Sequence, residues 1–292
     1  SNAQIGVIGA WNHEKTLHGS PYIQPKSKPD PTQAQQWAAI AQFLEQTLKN
    51  DQAPQRKTLF YYTLSAETWK QTDAFPLPNT EMQTWYFHAD NHLSAQAPTA
   101  DVGADSYQVD FDATTGTNNR WHTELAKPVI YPDRAREDRH LLTYTSKPLE
   151  RDMEITGYPV VTLNVASTEE DGAFFVYLED VDESGVVRYI TEGVLRGIHR
   201  KLSDETPPYV TTNPYRTFKR ADAMPLPRGE IVGLTFGLLP TSVLIRGGHR
   251  IRVAIGGADK DTFANIPAKG APLLQISRNR HLASYIRLPA VS

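Results

Sequence analysis

A single histidine in a short glycine-led segment is the strongest candidate for chemistry in this sequence. His13 closes the segment Gly9–His13, Gly-Ala-Trp-Asn-His, which directly follows the apolar run Ile5–Ile8. A loop after a buried strand lies at the carboxyl end of that strand, where α/β proteins place their reacting groups. An imidazole with a pKa of about 6.5 can take the proton of a serine hydroxyl and return it to a leaving group. We therefore interpret His13 as a candidate general base, with an ordinary loop histidine as the alternative.

The partners that such a histidine needs are not found in the sequence. A serine nucleophile on a strand-to-helix turn is typical of a Gly-x-Ser-x-Gly motif, and no such motif occurs in the 292 residues. The absence of cysteine excludes a thiol nucleophile, disulfide bonds and thiolate zinc sites, and it leaves the redox compartment open. We therefore expect the isolated chain to be inactive in this chemistry.

Three other patterns favour structural roles. Asp180–Gly185 is similar to the first half of a calcium loop, but the twelfth position is Thr191 instead of glutamate, so we prefer a polar hairpin turn. His88 and His92 are four residues apart, yet the loop-forming residues around them argue against a metal pair. The basic residues within 133–139 alternate with acidic ones and predict a solvated mixed-charge loop instead of an anion site. The sequence thus predicts no metal site and no cofactor.

The composition is typical of a globular protein. Hydrophobic residues make up 39% and aromatic residues 10% of the chain, which is enough for a sizeable core and for one or two domains. The formal net charge of -3 argues against a nucleic-acid partner. The unbroken apolar stretch Ala173–Leu178 is the longest that bears on membrane insertion, and it is far shorter than the roughly 20 residues of a membrane-spanning helix. We expect a soluble chain with no membrane partner, and cytoplasmic and periplasmic or secreted locations stay open.

The elements that would position His13 lie in the first 79 residues. Ser1–Ala3 is typical of the remnant of a cleaved expression tag and is kept out of the fold argument. Ile5–Ile8 predicts a strand buried on both faces of a parallel sheet, and Thr58–Thr63 is the other candidate strand. Because a parallel sheet needs further strands, we expect this part to be the end of a larger domain.

A helix is predicted after the histidine loop. Asp30 can act as its N-cap, Pro31 suits the first turn, and Gln33 can complete a capping box. The apolar residues that follow recur at helical spacing, and we expect them to pack on the sheet of the preceding strand. They are Trp37, Ile40, Ala41, Leu44 and Leu48.

After about Thr80 the hydrophobic period changes from helical to two, which is typical of half-buried strands. Ala173–Leu178 and Val186–Ile190 flank a polar, glycine-ended turn and predict a hairpin. More than eight short strands without a strong helix favour an antiparallel sandwich or barrel. The side chains that we expect inside it are Val161, Leu163, Val165, Val232, Leu234, Phe236, Ile251, Val253 and Ile255.

Five segments resemble, in the same order, segments of the X-Pro dipeptidyl peptidase, cocaine esterase and α-amino acid ester hydrolase family. Gly9–His13 is similar to the family's Gly-Pro-Trp-x-His segment, with Ala10 in place of proline. The resemblance covers nearly the whole chain, because four further segments follow at plausible spacings: Phe60–Pro78, Leu142–Gly157, Glu192–Arg196 and Arg246–Ile251.

The resemblance implies a serine hydrolase with an α/β-hydrolase domain, a helical cap and a galactose-binding-like jelly roll. This chain would be the C-terminal portion of such a protein. The implied fold is mainly β: a jelly-roll β-sandwich over 80–292, preceded over 4–79 by the C-terminal remnant of an α/β-hydrolase domain, after the tag remnant 1–3. Of the family's catalytic residues, only His13 carries over to this sequence.

Two classes of function stay open. The first is the C-terminal part of a serine hydrolase that cleaves acyl ester or X-Pro peptide bonds, with His13 and the sandwich beside the substrate pocket. The second is a galactose-binding-like module for a carbohydrate or another ligand. The retained histidine loop favours the hydrolase, although the sequence does not choose between an X-Pro peptide, an amino-acid ester and a β-lactam side chain as substrate. We also expect self-association, or pairing with the missing N-terminal part, since strand 5–8 and the helix lack partners.

Overall fold

The computed structural model describes residues 4–49, 57–125 and 127–292, so the predicted tag remnant Ser1–Ala3 lies outside the described residues. These residues form one α-helix, α1 (Gln33–Leu48), and sixteen β-strands in two sheets. The strands are β1 (Ile5–Ile8), β2 (Thr58–Thr63), β3 (Thr68–Thr72), β4 (Thr80–His88), β5 (His92–Ser94), β6 (Ala104–Gln108), β7 (Leu142–Ser146), β8 (Met153–Gly157), β9 (Val160–Ser167), β10 (Ala173–Val181), β11 (Val187–Arg196), β12 (Val232–Gly237), β13 (Thr241–Ile245), β14 (Arg250–Gly256), β15 (Leu273–Ser277) and β16 (Tyr285–Val291).

The first sheet is small and contains β1, β2 and β3. The expected parallel pairing of β1 with β2 is confirmed, with Ile5 opposite Thr58 and Ile8 opposite Tyr61, and β3 adds to β2 in antiparallel orientation. The prediction that β1 is buried on both faces is wrong. Ile5 is 46% exposed and Ile8 is 62% exposed, because β1 is the edge strand and no described element covers it.

The helix begins two residues later than the predicted capping box implies. Thr32 is the N-cap: its Oγ1 accepts from the Gln35 backbone N–H, and its own N–H donates to Gln35 Oε1 at 2.7 Å. Asp30 is not the cap, because it lies before the helix, where its carbonyl oxygen accepts from Trp69 Nε1 at 2.9 Å. The reciprocal bonds of the box therefore belong to Thr32 and Gln35 instead of Asp30 and Gln33.

The apolar stripe of α1 does not pack on the sheet as predicted. Its large side chains are exposed, from 41% for Ile40 to 76% for Leu48. No described element covers this face of the helix, so the stability of α1 depends more on its caps than is usual for an amphipathic helix.

Replacing Thr32 with alanine is expected to destabilise α1 by about 1 kcal/mol, since it removes one bond of the capping box. Hydrogen exchange of the α1 amides measures this effect directly. Asp30→Ala is the matched control and is expected to leave the exchange rates unchanged. Faster exchange in Asp30→Ala than in Thr32→Ala would show that the cap has been placed on the wrong residue.

The second sheet contains β4 to β16 and folds over on itself into a jelly-roll sandwich. The path β11-β10-β14-β7 continues through the short β5 into β4-β16-β9-β15-β6, and β8, β12 and β13 extend it. Side chains from both halves of this path share one hydrophobic core. Eight of the nine side chains that were expected inside are buried. The ninth, Val232, is half-buried and is the first residue of β12.

The predicted hairpin is confirmed. β10 and β11 pair in antiparallel register from Ala173 opposite Arg196 to Val181 opposite Val187. The Asp182 carboxylate accepts from the backbone N–H groups of Ser184 and Val186, at 2.9 and 3.0 Å. The acidic side chain thus closes the turn, as expected of a polar hairpin.

The prediction of a solvated charge loop is wrong for two of its residues. Arg134 is 2% exposed and Asp138 is 6% exposed, because both lie over the outer face of β10. Arg134 Nε is 3.3 Å from Oε1 of the fully buried Glu179, and Arg252 Nη1 donates to Asp138 at 2.6 Å. Three buried ionisable side chains, those of Arg134, Asp138 and Glu179, therefore form a group with the partly exposed Arg252.

The small sheet is fastened to the sandwich by backbone bonds. Leu64, just after β2, donates its N–H to the Ser242 carbonyl at 2.9 Å and accepts from the Leu244 N–H at 3.0 Å. The hydroxyls of Thr63 and Ser242 also bond at 2.9 Å. We propose the division into 4–79 and 80–292 because the hydrogen-bonding partners change from the small sheet to the sandwich at β4.

Candidate active site

The histidine loop begins with a glycine that has no room for a side chain. A Cβ on Gly9 would lie 2.2 Å from Cζ3 of Trp11, so glycine is required for the indole to fold back over the end of β1. The Trp11 ring packs against Trp69 of β3, with the ring centroids 5.6 Å apart. The carbonyl of Ala10 accepts from the Gly19 N–H at 2.9 Å. The Gly-Ala-Trp part of the motif therefore anchors the loop to the small sheet.

Asn12 closes the loop from the inside. Its Oδ1 accepts from the backbone N–H groups of Thr16 and Leu17, at 2.9 and 3.0 Å, and its own N–H donates to the Leu17 carbonyl at 3.0 Å. Asn12 is 1% exposed. An asparagine side chain that satisfies nearby backbone donors is a common way to fix a tight turn.

His13 lies at the exposed tip of this closed loop. Its ring makes no hydrogen bond to any residue that the structure describes, so both ring nitrogens are available to groups from outside. The next residue, Glu14, is tied down, because its carbonyl accepts from Gln33 Nε2 at the start of α1 at 2.7 Å. The structure thus places the predicted base on a fixed backbone with a free side chain.

A second histidine in the loop was missed by the sequence interpretation. His18 is 8% exposed, and its Nδ1 accepts from the Ser20 N–H at 3.1 Å, which leaves the proton of the neutral ring on Nε2. Burial lowers the pKa of His18 from 6.5, while the carboxylate of Glu67, 4.0 Å away, acts in the opposite direction. His18 is therefore a buried, neutral and structural histidine.

Glu67 organises the polar cluster around His18. Its carboxylate accepts from Ser20 Oγ at 2.7 Å, from Tyr62 Oη at 2.8 Å and from the Ser65 N–H at 2.9 Å. These bonds join the loop to the hairpin between β2 and β3. The only signal in the sequence is a glutamate in a turn, which does not reveal such a role.

Two cavities lie where the loop meets the sandwich. The first, of about 280 Å³, is bounded by 18–25, 129–131 and Arg188. The second, of about 200 Å³, lies between Ile8–Trp11 and the sandwich residues Arg120, Tyr131 and Tyr189. The two parts of the chain therefore enclose space together, beside the strand end that carries the histidine loop.

A buried acid lies behind the second cavity. Glu192 is 2% exposed, and Trp121 Nε1 donates to its Oε1 at 2.6 Å. Burial raises the pKa of Glu192 to about 7, against the lowering effect of the nearby Arg120. Glu192 belongs to a segment that carried the family resemblance, but no local pattern indicated its burial or its partners.

The other candidate residues are occupied by structural bonds. His92 Nδ1 bonds to the Thr145 carbonyl at 3.2 Å, and His88 Nε2 bonds to the Gln96 carbonyl at 2.8 Å. Within 4–49, 57–125 and 127–292, no group of three or more His, Asp or Glu side chains is placed to hold a metal ion. Across the same ranges, no helix has both the length and the apolar character that a bilayer crossing requires.

Comparison with solved structures shows which known proteins share this fold. An aminopeptidase from the marine sediment archaeon Thaumarchaeota archaeon matches 98% of this chain and 49% of its own, with a TM-score of 0.74 and 19% identity. An α-amino acid ester hydrolase matches 97% of this chain and 49% of its own, with a TM-score of 0.73 and 21% identity. At these identities the likeness shows the fold.

Sequence comparison identifies the family. Proteins of Mycobacterium bovis and Mycobacterium tuberculosis, whose names assign them provisionally to the serine esterases, are each 46% identical over 289 residues. The match covers 98% of this chain and 45% of each relative, so the chain spans about half of their length. The model of the X-Pro dipeptidyl-peptidase C-terminal non-catalytic domain matches residues 46–279, a range that begins after His13. The resemblance seen in the sequence is thus confirmed, and the chain belongs to the X-Pro dipeptidyl-peptidase C-terminal non-catalytic domain family.

Proposed function

We propose that this chain is the C-terminal part of a serine hydrolase that cleaves acyl ester or X-Pro peptide bonds. In this proposal His13 is the general base, and the sandwich forms one wall of the substrate pocket. The observation that carries the proposal is an exposed imidazole that bonds to no described residue, on a loop that Asn12 and Trp11 hold at the carboxyl end of a parallel strand. A base must reach the hydroxyl it deprotonates, and this position leaves His13 free to do so.

The open faces of the first 49 residues support a role as one part of a larger catalytic unit. β1 has a free edge, and the α1 stripe is exposed, within the residues that the structure describes. We propose that these faces pair with the part of the hydrolase that carries the nucleophile, or with a second copy when that part is absent. Burying a leucine-sized side chain contributes about 1.5–3 kcal/mol, so several such side chains can offset the cost of association.

The isolated chain is expected to show no turnover of p-nitrophenyl acetate or Gly-Pro-p-nitroanilide above a His13→Ala control. A base without a nucleophile and an orienting acid supplies little rate enhancement. A fluorophosphonate probe, followed by mass spectrometry, is expected to label no serine. Labelling that disappears in His13→Ala would contradict the proposal, because it would show a complete site within these 292 residues.

A further inference from the structure

A buried arginine in the sandwich has no acidic partner among the residues that the structure describes. Arg216 is 7% exposed and makes no ion pair with any described carboxylate. Its Nε donates to the His199 carbonyl at 2.7 Å, and its Nη2 donates to the carbonyls of Thr235 and Arg200. Burial lowers the pKa of Arg216 to about 10, which still leaves it charged at neutral pH. Buried charges are normally paired, so an unpaired guanidinium is an unusual feature.

This arginine borders a cavity. Arg216 lines a space of about 360 Å³ that shares no lining residue with the two cavities beside the histidine loop. The Nη1 of Arg216 makes no hydrogen bond to any residue that the structure describes. The volume lies within the range of about 300–1,000 Å³ that is typical of small-molecule sites. The cavity is therefore lined by a positively charged side chain whose Nη1 has no hydrogen-bond acceptor among the described residues.

Aromatic side chains also line the cavity, together with aliphatic and polar ones. They include Tyr158, Tyr209 and Tyr215, and the rings of Tyr209 and Tyr215 meet edge to face at 6.4 Å. The hydroxyls of these three tyrosines form no hydrogen bond with described residues. Tyr209 is 62% exposed, which places it at the rim. Tyrosine offers an apolar ring face and a polar handle to the same ligand.

A long connection builds this site. Residues 197–231 join β11 to β12. This segment and Tyr158 form most of the cavity wall, and residues of β11 and β12 form the rest. Asn213 of the same segment lies directly over Gly237, where a Cβ would come within 2.1 Å of its Oδ1. Glycine at that position lets the segment approach the strand. Long connections in compact domains are commonly functional.

We propose that this cavity binds an acidic sugar, with the carboxylate of a hexuronate on Arg216 and the sugar ring against the tyrosines. The carboxylate supplies a negative partner for the positive charge of Arg216. The hydroxyl groups and the apolar ring face of the sugar suit the unbonded tyrosine hydroxyls and the tyrosine rings. The inference goes beyond the proposed hydrolase function and does not depend on His13.

The test is calorimetric titration with sodium glucuronate, with glucose, acetate and phosphate at matched ionic strength as comparison probes. We expect glucuronate to bind with a Kd on the order of 1 mM and at least about tenfold more tightly than the other three. Tyr209→Ala and Arg216→Met are each expected to weaken binding at least about tenfold. Arg139→Met removes an exposed arginine and is expected to leave binding unchanged.

Arg216→Met can also perturb the fold, because Arg216 bonds three backbone carbonyls. Tyr209→Ala keeps the proposal testable, since Tyr209 is largely exposed, and circular dichroism shows whether each variant is folded. No binding of glucuronate would overturn the proposal. So would equal binding of glucose, acetate or phosphate, or an unchanged Kd in a folded Tyr209→Ala variant.

Discussion

Replacing His13 with alanine is expected to lower kcat/KM for p-nitrophenyl acetate by about 10⁴-fold in a protein that contains these residues together with the nucleophile-bearing part. The imidazole is the group that would remove the serine proton, and no other histidine of the loop can replace it. His18 is buried, and its Nδ1 already accepts a hydrogen bond from the Ser20 N–H, so the basic nitrogen of its neutral ring is occupied. Steady-state kinetics with the ester measures the loss.

The matched control for this prediction is His281→Ala. His281 is also exposed, and its Nε2 lies 3.3 Å from an Asp101 carboxylate oxygen in the sandwich, so its removal is expected to leave kcat/KM unchanged. A His13→Ala enzyme with wild-type kcat/KM would show that His13 is an ordinary loop residue.

The sandwich is expected to lose about 2–4 kcal/mol of unfolding free energy between pH 5 and pH 9 through one side chain, Glu179. Burial, reinforced by the negative charge of Asp138, raises the pKa of Glu179 from 4.5 to about 8, although Arg134 acts in the opposite direction. The folded state therefore keeps a proton that the unfolded state releases between these two values. Stability must fall as the pH rises through this window.

Urea denaturation of wild type and Glu179→Gln at several pH values measures this contribution. The variant cannot ionise at position 179, so its unfolding free energy should lack this part of the decline, whatever its stability at pH 5. Glu205→Gln is the matched control, because Glu205 is exposed and pairs with Lys219 on the surface. Parallel pH curves for wild type and Glu179→Gln would contradict a raised pKa at this residue.

The periodicity of the sequence predicted the sandwich because strands such as β12 place every second side chain in the core, although β9 and β10 are buried on both faces. The alternating residues of β9 and β14, such as Leu163 and Val253, lie in the core as expected. Periodicity predicted β1 and α1 as well, but it could not show that their apolar faces would be exposed. Exposure depends on what lies opposite a face, and nothing in residues 4–49 or in the described sandwich covers these two elements.

The candidate site was predicted only where a motif carried it. His13 could be found because it closes a recognisable segment, whereas His18, Glu67 and Glu192 are single polar residues whose partners come from distant parts of the chain. Arg134 and Asp138 were placed on the surface because charged residues usually lie there. Their burial follows from the pairing of β10 with two neighbours, which no local pattern in the loop reveals.

The closure of the histidine loop by Asn12 limits which residues of the loop can vary between related proteins. Asn12 fixes both ends of the turn through the backbone of Thr16 and Leu17, so the side chains between them carry none of its main anchoring bonds. Glu14 can therefore change while the path of the chain stays the same, whereas Lys15 has a φ of 60°, which β-branched residues rarely adopt. Related proteins could exchange the residue after the histidine to adjust the surroundings of the base, provided that the histidine, the asparagine and the length of the turn are kept.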